Sequence, residues 1–159
     1  MTEFYAAKAV AELKDYLEAN LQAQLTIVET ASGLSAGDLN APDAYLDYPA
    51  PTDPRSPLVQ VYEEGMDPMV QREGFWTVPC IVAFTYNGDA NVGTDFVKLR
   101  RYLTALLFTV LKNPTLSGAV HACILTRCDA VQEVGGVSET RHHYVLFWNV
   151  QVFDRVTTV

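Results

Sequence analysis

Two long alternating runs constrain this chain more than any other feature. In WTVPCIVAFTY, Trp76, Val78, Cys80, Val82, Phe84 and Tyr86 are all bulky or apolar, and Thr77, Ile81, Ala83 and Thr85 stand between them. In RHHYVLFWNVQVF, Tyr144, Leu146, Trp148, Val150 and Val152 share one face. Successive side chains of a strand point to opposite sides, so each run has one face that another layer must bury. Pro79 has no N–H to donate, which puts the first strand at an edge there or makes it bulged. The second run's other face, His143, Val145, Phe147, Asn149, Gln151 and Phe153, mixes polar with large apolar groups. Such a face is half covered, by a neighbouring element or a partner subunit.

Two amphipathic helices can supply the covering layer. From Thr2 to about Leu21, Ala6, Val10, Leu13, Leu17 and Leu21 recur every three or four positions, with Thr2 as a cap and Glu3 in the first turn. A short strand, Leu25 to Glu29, is expected next. The second helix starts at Thr94 as N-cap beside Asp95, carries the stripe Phe96, Leu99, Leu103, Leu106 and Val110, and ends at Asn113-Pro114. Leu107, Phe108 and Leu111 lie outside that stripe and widen the apolar surface beyond one ordinary contact. Further strands are expected at Leu58 to Tyr62 and around Val120 to Thr126, and a turn at Gly135-Gly136. Between about residues 30 and 57, five prolines (Pro42, Pro49, Pro51, Pro54, Pro57) predict an irregular loop, which at that length is more often functional or disordered than decorative. A second loop carries Glu63, Glu64, Asp67 and Glu73.

These elements form one domain, since 159 residues suffice for a single core and not for two domains of ordinary size. The first residues carry acids and lysines throughout, so neither a signal peptide nor an anchor is expected. The most apolar helical segment, Tyr102 to Leu111, falls well short of the ~20 residues a membrane crossing needs. Three cysteines, Cys80, Cys123 and Cys128, are an odd set in or beside apolar runs, which predicts buried, reduced thiols.

The patterns that carry chemistry are weak. Gly88 and Gly93 bracket a loop between strand and helix at phosphate-loop spacing, but Thr94 stands where the lysine is needed, so an ordinary capped loop is the better reading. His121, Cys123, Cys128, His142 and His143 offer zinc-type donors without a CxxC pair, and Cys123 and Cys128, five apart, point to opposite faces of a continuous strand. Ser138 with His142 or His143 and Asp129 supplies triad residue types without a nucleophile elbow. We expect no enzyme, cofactor or metal.

Charge is unevenly spread. Of the net −8, residues 1–73 hold 13 acids and four bases, and residues 74–159 hold six acids and seven bases. The simplest reading is a solvated acidic loop region; the functional reading is an acidic surface that meets a basic partner or keeps polyanions away.

The element order of helix, strand, long loop, two strands, helix and two strands resembles the tail terminator proteins of long-tailed bacteriophages. The resemblance lies in the opening helix with Tyr16-Leu17, the strand pair PLVQVYEEG and VPCIVAFTY, the block DFVKLRRYLTALLFTVLKNPTLSG, and the closing pair HACILTRCDAVQE and HYVLFWNVQVFDRV. The loop from about Thr30 to Pro57 is longer than the family suggests. The resemblance implies an α+β subunit with a mixed or antiparallel sheet of about four to five strands and two helices on one face. It implies assembly as a hexameric ring in the virion, put together in the host cytoplasm. Such a ring stops tail-tube polymerisation and joins tube to head connector, and DNA passes through without specific binding.

On that reading Phe108, Leu111, Val145, Phe147 and Phe153 are subunit contacts, and Glu63, Glu64 and Asp67 face the lumen or the tube. A neck or head-completion protein of the same joint is the neighbouring alternative. A small enzyme or ligand-binding domain using His142, His143 and the cysteines is the alternative from another class.

Overall fold

A computed structural model describes residues 2–64, 70–72, 74–88, 92–135 and 139–153. The protein is α+β, with a mixed sheet carrying two helices on one face. Helix α1 spans Thr2–Ala31, and α2 spans Val92–Leu111. The strands are β1 (Ala44–Leu46), β2 (Leu58–Glu63), β3 (Val70–Arg72), β4 (Phe75–Gly88), β5 (Ala122–Gly135) and β6 (Glu139–Phe153). The sheet order is β1-β2-β4-β6-β5, with β3 paired to β4 beyond the end of β2. Every described pairing is antiparallel except β1 with β2.

The alternation in the two long runs sets the core. Val78, Cys80, Val82 and Phe84 of β4, and Leu146, Trp148, Val150 and Val152 of β6, are each at most 1% exposed. They pack with Val59 and Val61 of β2 beneath Leu13, Leu17, Leu21, Leu99, Tyr102 and Leu106 of the helices. Burying each such side chain contributes roughly 1.5–3 kcal/mol, enough to hold two layers together. Pro79 behaves as its chemistry requires. Its carbonyl accepts from the Glu64 N–H at 2.9 Å, so the missing donor faces the edge where β2 has ended.

Several expectations are corrected. Leu25 to Glu29 is not a strand but the last turns of α1. Leu25 and Val28 continue the buried stripe, and the Thr26 and Thr30 hydroxyls donate back to the Gln22 and Thr26 carbonyls. Thr94 lies inside α2 instead of capping it. The buried face of α2 is Leu99, Tyr102, Ala105, Leu106 and Val110; Phe96 is about a third exposed, and Tyr102 is held by its hydroxyl donating to the Asn40 carbonyl at 3.0 Å.

The Pro-rich segment is not wholly irregular, because Ala44–Leu46 adds a parallel edge strand, and β3 lies within the expected second loop. β5 runs well past Thr126, with a bulge between Leu125 and Arg127. The bulge reverses the parity argument for the cysteines. Cys123 pairs with Val150 and Cys128 with Leu146, and those two share a face, so both thiols lie on the same side of the sheet. Cys80 and Cys123 are buried, whereas Cys128 is exposed. Of the expected Gly135-Gly136 turn, Gly136 lies outside the described residues, as do Asp67, Glu73 and Ser138.

Candidate functional site

The face of the sheet turned away from the helices has two halves. On the β2 side the Pro-rich segment folds back over it. Leu58 and Thr85, directly opposite each other, are fully buried there, and Gln60 is nearly so. The segment is fastened by polar contacts: the Ala50 N–H donates to Gln60 Oε1, the Asn87 N–H to Ser56 Oγ at 2.8 Å, and Arg141 Nη2 to the Asp53 carbonyl at 2.7 Å. Asp53 is itself gripped by the Arg55 guanidinium, whose hydrogen bonds hold its carboxyl at about 2. At its start the segment is held by Glu29, a buried carboxylate that accepts from the Gly37 and Leu39 N–H groups at 3.0 and 2.7 Å.

On the β5 side no described helix or strand covers this face. Ile81 lies opposite Phe147, Ala83 opposite Val145, and Arg127 opposite Phe147. Arg127 sits 4.0 Å above the Phe147 ring and pairs with Asp129 at 2.9 Å. At one end Phe75 stacks on His121 at 4.8 Å, and Phe153 meets the same imidazole edge-on at 5.6 Å. Ile124 is 47% exposed beside them. Val145, Phe147 and Phe153 therefore share one partly exposed apolar face, as expected of them.

The helix layer has its own apolar surface on the opposite side of the molecule. Ile27, Phe108 and Leu111 are 51%, 46% and 48% exposed. Ile27 and Phe108 line a groove of about 340 Å³ between the C-terminal half of α1 and α2. Arg100, Arg101 and Lys112 also line it; Lys112 donates to Gln24 Oε1 at 3.0 Å and lies 5.8 Å from the Phe108 ring centre. Ile27 was hidden from sequence reasoning by the strand expected at 25–29. The charge signal was legible, because residues 92–112 hold four bases and one acid. Glu63 and Glu64 are exposed at the end of β2, on neither apolar surface.

Among the described residues, those considered for catalysis and metal binding do not converge. His142 and His143 are neighbours on β6 and point to opposite faces. His142 is buried with Nε2 3.9 Å from Asp95 Oδ2, whereas His143 Nδ1 is 2.9 Å from Thr85 Oγ1 on the outer face. His121 is engaged with two phenyl rings. Burial pushes the Cys80 thiol up and the Cys123 thiol to about 12, and burial with the nearby Asp129 raises Cys128, so none of the three is activated as a thiolate. Among the described residues no group of three or more His, Cys, Asp or Glu side chains could hold a metal ion. At the glycine-bracketed loop, the buried Asp95 carboxylate lies in the first turn of α2 against the Gly88 backbone, placing negative charge where a phosphate would need to bind.

No family model matches the chain, and no curated protein matches it.

Proposed function

We propose that this protein is a ring-forming structural subunit of a bacteriophage tail end: a tail terminator that closes the tube and joins it to the head connector. The observation that carries the reading is the pair of unlike apolar surfaces on opposite sides of one subunit. One is the half of the sheet that no described helix or strand covers, with Ile124, Val145, Phe147 and Phe153, and the other is the helix layer with Ile27, Phe108 and Leu111. Two different patches that meet each other give head-to-tail contacts, which close into a ring when the rotation per subunit divides a full turn. The resemblance to the tail terminators supports the same reading through the opening helix, the block DFVKLRRYLTALLFTVLKNPTLSG and the closing strand pair, and no longer through the strand expected at Leu25 to Glu29.

The mechanism is geometric and needs no reaction. One ring face matches the tube and the other the connector. The acidic balance of the chain suits a channel that DNA traverses without being gripped, since a basic lining would bind phosphate. Glu63 and Glu64, exposed at the end of β2, are the described candidates for the lumen or the tube-facing side.

Two measurements test the proposal. Native mass spectrometry of the purified chain should give a closed oligomer, with a hexamer as the expected count. Mixed with purified tail tubes, the protein should cap tube ends and stop their growth. A chain that stays monomeric at high concentration and leaves tube length unchanged would refute it.

A further inference from the structure

The groove between α1 and α2 combines an apolar lining with basic side chains on an otherwise acidic protein. Its floor is apolar, with Ile27, Val28 and Phe108, and its walls carry Arg100, Arg101 and Lys112. Residues 92–112 have a net charge of +3, which leaves −11 for the rest of a chain whose total is −8. Neither arginine is in an ion pair with a described residue, although the same molecule pairs Arg55 with Asp53 and Arg127 with Asp129. A concave apolar floor walled by unpaired guanidinium groups fits a segment that presents carboxylates beside an aromatic ring.

The chain carries such a segment away from the groove. Around β1, Asp43, Asp47 and Tyr48 are exposed, Tyr48 to 53%. Asp47 is in no hydrogen bond or ion pair with a described residue. The segment runs along the edge strand beside β2, and none of its residues lines the groove of its own subunit. We infer that the groove of one subunit receives the acidic segment Asp43–Tyr48 of a second copy of this chain. This rests on the ring reading and names one of its contacts. Arg100 and Arg101 meet Asp43 and Asp47, and Tyr48 lies on the apolar floor beside Ile27 and Phe108. The contact joins two different patches, as a head-to-tail ring requires.

Charge exchange tests it. Arg100→Glu with Arg101→Glu, and separately Asp43→Lys with Asp47→Lys, should each weaken subunit association by roughly 10-fold or more, and the fourfold variant carrying both exchanges should regain most of it. Sedimentation velocity reads the association, and circular dichroism checks that each variant is folded. A second arm avoids charge reversal. In a Cys128→Ser background, Thr104→Cys with Asp47→Cys should give disulfide-linked oligomers on mild oxidation. Oligomers that persist unchanged through both exchanges and form no such crosslink overturn the contact and leave the ring reading standing. A wild-type chain that never associates overturns both. If the arginine exchange abolishes retention of a short duplex DNA while assembly is unaffected, the groove serves a polyanion and the inference is wrong.

Discussion

Replacing Leu111 by aspartate separates a subunit contact from a core contact. Leu111 ends α2 with 48% of its surface in water, so the isolated subunit has gained only about half of the ~2 kcal/mol that burying a leucine offers. The substitution loses that ~1 kcal/mol, and an acid in the last turn of a helix adds roughly 0.3–1 kcal/mol of unfavourable dipole interaction. For a domain of this length, ~1–2 kcal/mol lowers Tm by about 3–8 °C, so the variant folds. Leu106 on the same helix is 1% exposed, and aspartate there strands a carboxylate in the core at a cost of several kcal/mol. If a neighbouring subunit covers the remaining half of Leu111, assembly loses a further ~1 kcal/mol of apolar burial. It also buries an unpaired carboxylate, for ~1–3 kcal/mol more. Together these weaken each contact about 30- to 1,000-fold. Thermal unfolding followed by circular dichroism and sedimentation velocity at matched concentration measure the two effects separately. A folded Leu111→Asp variant that assembles like the wild type shows that the position faces water. One that unfolds like Leu106→Asp assigns it to the core. Either result refutes the reasoning.

Gly88→Ala should destabilise the fold by roughly 1–3 kcal/mol, because an added Cβ would lie 2.0 Å from Asp95 Oδ2. Urea unfolding measures it, and adding Asp95→Ala should cost less in that background than alone; an unchanged midpoint for Gly88→Ala would show that the carboxylate moves aside freely. Alkaline pH should weaken the protein. Burial raises Cys123 to about 12 from 9.0 and Tyr45 to about 12 from 10.0, so the neutral forms are favoured when folded. That stability is complete below about pH 9 and is lost as the pH rises towards 12, by on the order of a few kcal/mol for the thiol alone. Equal urea midpoints at pH 8 and pH 10.5 would contradict this. With a thiol reagent at neutral pH, the native protein should label at Cys128 alone and react at all three cysteines only when unfolded, as read by mass spectrometry. Fast native labelling of Cys80 would mean that its strand opens readily.

The parts of this fold that were legible share one property: a long element with one unbroken apolar face. β4 and β6 each exceed ten residues; in β6 burial alternates without exception from Tyr144 to Val152, and in β4 it alternates from Val78 to Val82, after which Ala83 and Thr85 on the outer face are buried as well. Thr26-Ile27-Val28 misled because β-branched residues favour strands, whereas here the stripe through Leu21, Leu25 and Val28 decides in favour of helix. β1 and β3, three residues each, are too short to show any period and are defined by the strands they pair with. The bulge in β5 has no composition signal. The Thr126 hydroxyl donates to the Phe147 carbonyl at 3.0 Å beside it, and from that point on every parity argument along the strand is reversed. The exposed apolar surfaces were legible in the same graded way. Phe108 and Leu111 fall outside a helical stripe and are indeed exposed, whereas Ile27 and the groove arise only once α1 is known to extend past Leu21.

The Pro-rich segment makes the two ends of the outer sheet face unlike. Left bare, that face would offer neighbours a continuous surface from β2 to β5 on which many docking positions would be nearly equal in energy. The segment occupies the β2 half, burying Leu58 and Thr85, and ties down through Asn87 and Arg141 on the two central strands. Among the described residues of this face, the β5 half, with Ile124, Phe147 and Phe153, keeps apolar area in water. Proline suits this role, because a segment with fixed φ and few free donors stays in place at low entropic cost and offers little to a passing strand edge. A ring closes only if each subunit adds at one angle. If the protein forms the proposed ring, the bare half of the sheet would supply the area that drives contact, and the covered half would remove the competing positions.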